Sequence, residues 1–174
     1  MSPAQPVGSP LPGMGELPQQ AVAPAPNGSE RPFSVYLHVP YCRVRCGYCD
    51  FNTYTNLTMG QGASAEDFVG TLAGELRAAR SAMDSAGLPV RPAQTVFVGG
   101  GTPTMLPASD LVTMLDLVRE CFGLAPDAEV TTEANPDSVD EAGLAALAEG
   151  GFTRVSFGMQ SAVPHVLKVL ERTH

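Results

Sequence analysis

Basic residues are scarce in this chain: ten Lys and Arg stand against eighteen Asp and Glu in 174 residues, a formal charge of −8. Binding a phosphate backbone takes a basic face, and these ten are scattered, so no nucleic-acid partner is expected. Long apolar runs are also missing. Nothing approaches the roughly 18 residues of a bilayer span, and the N-terminus has neither a basic n-region nor an apolar h-region. No membrane span and a cytoplasmic location follow as expectations. Cysteine is limited to four residues, and an odd cluster without a secretory leader argues against an oxidised disulfide framework. The 44% of hydrophobic residues and a mean hydropathy near zero describe a globular domain with one ordinary core.

Three of the four cysteines, Cys42, Cys46 and Cys49, form a C-x3-C-x2-C cluster. Three thiolates can hold three corners of a four-iron, four-sulfur cube and leave the fourth iron open to bind and reduce a ligand. Zinc is the alternative, but a structural zinc site normally takes four N or S ligands, which would have to come from His38, Asp50 or the distant Cys121. Cys121 ends an apolar helical run, where a free cysteine acts as a small buried hydrophobe.

Residues 1–31, with Pro32, hold eight of the sixteen prolines, together with Gly, Gln, Ala and Ser and few large apolar side chains. Such a segment buries too little surface to offset its ordering entropy, so a disordered Pro/Gly-rich tail is expected there. From residue 33 short β-branched runs alternate with longer helical patterns, the signature of βα units around a parallel sheet. The expected strands are Phe33 to Val39, Thr95 to Val98, Ala128 to Glu133 and Thr153 to Phe157. Helices are expected after Ser64-x-x-Asp67, after Pro107, after Ser138-x-x-Glu141 up to Gly150-Gly151, and from Pro164.

The strands have unlike faces, because side chains alternate along a strand. Phe33, Val35, Leu37 and Val39 share one side of the first, and Ser34, Tyr36 and His38 the other. Glu129, Thr131 and Glu133 oppose Val130 in the third, and Arg154 and Ser156 oppose Val155 and Phe157 in the fourth. If the apolar sets pack on helices, the polar sets face a cavity. A closed eight-stranded barrel fills its middle with branched apolar residues instead, so a wider or partial barrel is expected, with an open sheet as the alternative. Functional groups in such folds sit at the carboxyl ends of strands. Here those ends carry the cysteine loop, Gly99-Gly100-Gly101-Thr102-Pro103, Glu133-Ala134-Asn135-Pro136 and Gly158-Met159-Gln160-Ser161.

Together with Tyr36 and His38 ahead of the cysteines, these four motifs resemble the radical S-adenosylmethionine proteins of the oxygen-independent coproporphyrinogen III oxidase type. The resemblance runs from about Arg31 to His174. It implies an α/β fold, a partial (β/α) barrel whose N-terminal part, residues 32–174, holds four βα units and stops before barrel closure. It implies a [4Fe-4S] cluster on Cys42, Cys46 and Cys49, with S-adenosylmethionine chelating the open iron and cleaved by a cluster electron to methionine and a 5′-deoxyadenosyl radical. Tyr36 and Tyr48 resemble cofactor-contacting aromatics, Gly100, Gly101 and Thr102 the cradle for the methionine end, Glu133 a carboxylate contact, and Gln160 and Arg172 a polar pair on the rim. No catalytic acid or base is assigned. His38 is left open between a cofactor, cluster or heme contact and an inward histidine bonded to a neighbouring strand.

Within the family the oxidases resemble C-x3-C-x2-C-x-C, whereas this chain continues Cys49-Asp50-Phe51. That departure resembles the heme chaperone branch, which implies heme, an acceptor protein and an electron donor for the cluster as partners. The alternatives are the oxidase, decarboxylating a porphyrinogen, and an inert fragment or zinc module.

Overall fold

The computed structural model of the chain describes residues 32–58 and 64–174. The tail expected over 1–31 lies outside the described residues. Four strands, β1 (Ser34–Val39), β2 (Ala93–Gly100), β3 (Leu124–Ala134) and β4 (Arg154–Phe157), alternate with four helices. These are α1 (Phe68–Ser85), α2 (Ala108–Phe122), α3 (Glu141–Gly150) and α4 (Pro164–Leu170). All strand pairs are parallel and the sheet order is β1-β2-β3-β4. The fold is α/β, with one open sheet of four βα units in which β1 and β4 are the edges.

The apolar face is built as the alternation requires. Leu37, Val39, Val96, Val98 and Val130 are buried against the helices, where Leu72, Leu76, Leu111, Met114, Leu115, Val118 and Leu147 close the core. Cys121 is buried in this cluster, at the end of α2. Phe157 points to the same side but is 47% exposed, because β4 has no neighbour beyond it among the described residues.

Paired residues of a parallel sheet face the same way, so the registers Tyr36 to Phe97, Phe97 to Thr131 and Thr131 to Arg154 define one inner row. Arg154 reaches the Thr131 hydroxyl at 3.5 Å and the Glu129 carboxylate at 4.0 Å along it. The inner face is thus polar with an aromatic step, Tyr36 stacked on Phe97 at 6.1 Å between centroids.

Strand and helix limits differ from the expected ones for local reasons. β2 runs on through Gly99 and Gly100 because both pair with β1, and a ladder partner outweighs the low strand propensity of glycine. Ser64 does not cap α1: its hydroxyl accepts from the Asp67 N–H at 3.1 Å and donates to the Asp67 carboxylate at 2.8 Å, closing a turn just ahead of the helix. α3 is capped by Asp140, whose carboxylate accepts from the Gly143 N–H at 2.7 Å, since Ser138 lies two residues too early and bonds Asn135 and Thr104.

Leu111 is fully buried, whereas Val169 on α4 is largely exposed. Leu111→Ala is expected to lower unfolding free energy in urea titration by about 2–5 kcal/mol, and Val169→Ala to change it by less than about 0.5 kcal/mol.

Candidate functional site

The backbone ladder between β1 and β2 continues past both strand ends. Gly101 N–H donates to the Val39 carbonyl at 2.8 Å and Thr102 N–H to the Tyr41 carbonyl at 2.7 Å. The glycine turn is therefore laced to the start of the cysteine loop. That loop is closed at its neck, where Cys42 N–H donates to Tyr54 O at 2.9 Å and Tyr54 N–H to Pro40 O at 2.8 Å. A turn from Cys49 N–H to Cys46 O, 3.0 Å, brings the second and third cysteines together.

Two glycines are required by this approach. Gly100 has φ of 115°, in the region that disfavours side chains, and a Cβ there would lie 2.6 Å from the His38 ring. A Cβ on Gly101 would lie 2.6 Å from the Tyr41 carbonyl oxygen and 3.0 Å from Cys42 Sγ.

His38 is a loop anchor. One ring nitrogen, Nε2, is 2.9 Å from the Asn52 carbonyl and the other, Nδ1, 2.9 Å from the Tyr36 hydroxyl. A carbonyl only accepts, so Nε2 carries a proton and donates to the Asn52 carbonyl. Both bonds go to β1 itself and to the cysteine loop rather than to a neighbouring strand, and they tie the inner face of β1 to the far end of the cysteine loop.

Cys42, Cys46 and Cys49 line one cavity of about 240 Å³. Tyr48, Gly100, Gly101 and Thr102 line it as well, as do Glu133, Gln160 and Arg172. Of the residues to which the resemblance gave a cluster or cofactor role, Tyr36 alone stands apart: it lies on the inner face, half exposed, and does not line this cavity. A larger groove of about 560 Å³ between the starts of α2 and α3 holds none of the three thiols.

Glu133 accepts from the Gly100 N–H at 3.1 Å, coupling β3 to the glycine turn. Its charge, after burial, helps hold the Tyr36 phenol above its usual range, so Tyr36 stays a neutral donor. Burial likewise pushes the Cys42 thiol up, opposed by the hydroxyls of Thr102 and Thr53. Thiolate ligation at Cys42 must displace that held proton.

Asn135 was not singled out from the sequence, although it follows Glu133 by two residues. Its Nδ2 donates to Thr102 Oγ1 at 3.2 Å and its Oδ1 accepts from Arg172 at 2.9 Å. Arg172 in turn donates to Cys46 Sγ at 3.1 Å, and Thr102 Oγ1 is 3.9 Å from Cys42 Sγ. The signal was its place in the Glu133-Ala134-Asn135-Pro136 motif, directly after the last residue of β3, where only the carboxylate had been given a role.

The Radical SAM superfamily model matches residues 36–174. The chain belongs to the radical SAM superfamily. A heme chaperone, HemW, of Mycobacterium tuberculosis is 48% identical over 164 residues, covering 94% of this chain and 38% of that protein. The heme chaperone HemW of Escherichia coli is 38% identical over 143 residues, 82% of this chain and 36% of that protein. An oxygen-independent coproporphyrinogen III oxidase of Paracoccus denitrificans is 35% identical over 151 residues, with 87% and 32% coverage. Among solved structures, the radical SAM enzyme coproporphyrinogen III oxidase (HemN) of Escherichia coli superposes with a TM-score of 0.72 at 31% identity, covering 89% of this chain and 33% of that one. The radical SAM chain described here thus spans between about a third and two fifths of the length of these relatives.

Membership of the radical SAM superfamily implies a [4Fe-4S] cluster and S-adenosylmethionine, and the donor set suits both. Three thiols and the glycine turn share one cavity, and the buried Arg172 Nε has no protein acceptor, leaving a donor for a bound group. Among the described residues no three His, Cys, Asp or Glu side chains converge tightly enough for a single metal ion, whose thiolate bonds are about 2.3 Å for zinc. No helix among the described residues is long and apolar enough to cross a membrane.

Gly101→Ala is expected to destabilise the cluster-free chain by about 1–3 kcal/mol through overpacking against the cysteine loop, read by urea titration.

Proposed function

We propose that this radical SAM chain binds a [4Fe-4S] cluster through Cys42, Cys46 and Cys49, binds S-adenosylmethionine beside it, and serves a heme chaperone that takes up heme and passes it to an acceptor protein. The bound pair supplies low-potential one-electron chemistry. The chain's own residues hold and orient. Gly100, Gly101 and Thr102 shape the wall against the methionine end, and Glu133 offers a carboxylate to a cationic ligand in a partly buried site. Tyr48 offers an aromatic face for an adenine, Gln160 and Arg172 supply polar contacts at the rim, and Tyr36 acts from the inner sheet face.

The observation that carries the chaperone reading is Phe51. It occupies the position, two residues after the third cysteine, where the oxidases resemble C-x-C, and it lines the same cavity as the thiols while remaining 61% exposed. A thiol there would add a fourth sulfur to the wall; an aromatic ring offers a flat apolar face instead. The two HemW relatives support the same reading.

Anaerobically reconstituted protein is expected to take up heme saturably, one per chain, to release it to an apo acceptor protein, and to yield no decarboxylated tetrapyrrole from coproporphyrinogen III. Decarboxylated product would favour the oxidase reading, and zinc without iron on metal analysis would reject both. In the same preparation Cys46→Ser is expected to abolish iron retention while Cys121→Ser keeps it. Equal loss in both would refute the ligand assignment.

A further inference from the structure

Two of the three cysteine sulfurs receive protein donors, and both donors are held by one side chain. Asn135 is itself immobilised: its N–H donates to Ser138 Oγ at 3.0 Å, and its carbonyl accepts from the Ser138 hydroxyl at 2.8 Å and the Ser138 N–H at 3.0 Å. The orientation of its amide follows from the partners. A guanidinium only donates, so Oδ1 must face Arg172 and Nδ2 must face Thr102. Thr102 Oγ1 then accepts from Asn135, which leaves its proton for Cys42 Sγ, 3.9 Å away.

On the other side Arg172 Nη2 lies against Asn135 Oδ1 at 2.9 Å, Gly158 O at 2.7 Å and His174 Nε2 at 2.7 Å, while Nη1 donates to Cys46 Sγ at 3.1 Å. The turn that delivers Arg172 is costly. Glu171 just before it is a non-glycine residue in the left-handed region, φ 54° and ψ 43°, a conformation disfavoured by roughly 1–2 kcal/mol.

We infer that Asn135 is a positioning residue that sets the reduction potential of the cluster by aiming the Arg172 guanidinium at Cys46 and the Thr102 hydroxyl at Cys42. The inference rests on the cluster reading above. Donors to cluster sulfurs favour the reduced, more negative state and raise the potential, so losing them lowers it.

The test is a redox titration of the reconstituted protein, without S-adenosylmethionine, followed by electron paramagnetic resonance and by the Fe–S(Cys) stretches in resonance Raman. Asn135→Leu and Arg172→Met, each at wild-type iron content, are expected to lower the reduced-to-oxidised ratio at fixed potential about tenfold, a shift of about 59 mV for one electron, with shifted Fe–S(Cys) stretches. The double variant should fall short of the sum, because Asn135 acts largely through Arg172. An unchanged potential in Asn135→Leu would overturn the inference, as would full additivity in the double variant. If Asn135→Leu holds no cluster, an unchanged potential in Arg172→Met decides against it. Cluster loss from both single variants would assign these residues to cluster retention and equally overturn it. Wild-type protein that binds no four-iron cluster would remove the underlying reading as well.

Discussion

Two backbone hydrogen bonds, Gly101 N–H to Val39 O and Thr102 N–H to Tyr41 O, carry the parallel ladder of β1 and β2 beyond the strands and into the loops. Everything at the candidate site depends on that extension. It holds the glycine turn against the first cysteine closely enough that no side chain fits at position 101. It also places Thr102 beside Cys42 and within reach of Asn135. Without it the cysteine loop would keep its own neck, the bond from His38, and the contacts of Arg43 with Asp137 and of Cys46 with Arg172.

The sheet serves two solvents. Its helix-facing side is an ordinary close-packed core whose burial supplies the cohesion of the domain. Its other side carries Tyr36, Phe97, Thr131, Glu133, Arg154 and Ser156, a polar lining with one aromatic step. Polar groups on a sheet face are tolerable when they pair with one another or with a ligand. Several do pair here, as Glu133 with the Gly100 amide and Tyr36 with His38. The cavity at the carboxyl end of this face collects thiols, a carboxylate, an amide and a guanidinium at the point where four βα loops meet, the position at which α/β folds hold their ligands.

Radical SAM membership and the cavity explain each other. Motifs scattered from residue 42 to residue 172 would be unrelated on an arbitrary fold, whereas four consecutive parallel strands deliver each of them to the same rim. The tetrapyrrole chemistry is a separate matter. The proposed heme role rests on Phe51, which places an apolar ring in the cavity wall where the oxidases resemble a further cysteine.

Much of this was legible in the residues. Alternation gave the faces of β1, β3 and β4, the spacing of Cys42, Cys46 and Cys49 marked the loop, and the four strand-end motifs marked the rim, since periodicity and local chemistry are written in sequence order. Helix starts were less legible: Ser64 and Ser138 look like caps, yet one closes a turn and the other braces Asn135, because a hydroxyl bonds whichever backbone group the fold brings near. The extension of β2 through two glycines, the separation of Tyr36 from the cavity, the anchoring of His38 and the connection from Cys42 through Thr102, Asn135 and Arg172 to Cys46 came only with the tertiary structure. Each links residues 14 to 126 positions apart or turns on which way a side chain faces at a strand end, and no local pattern encodes either.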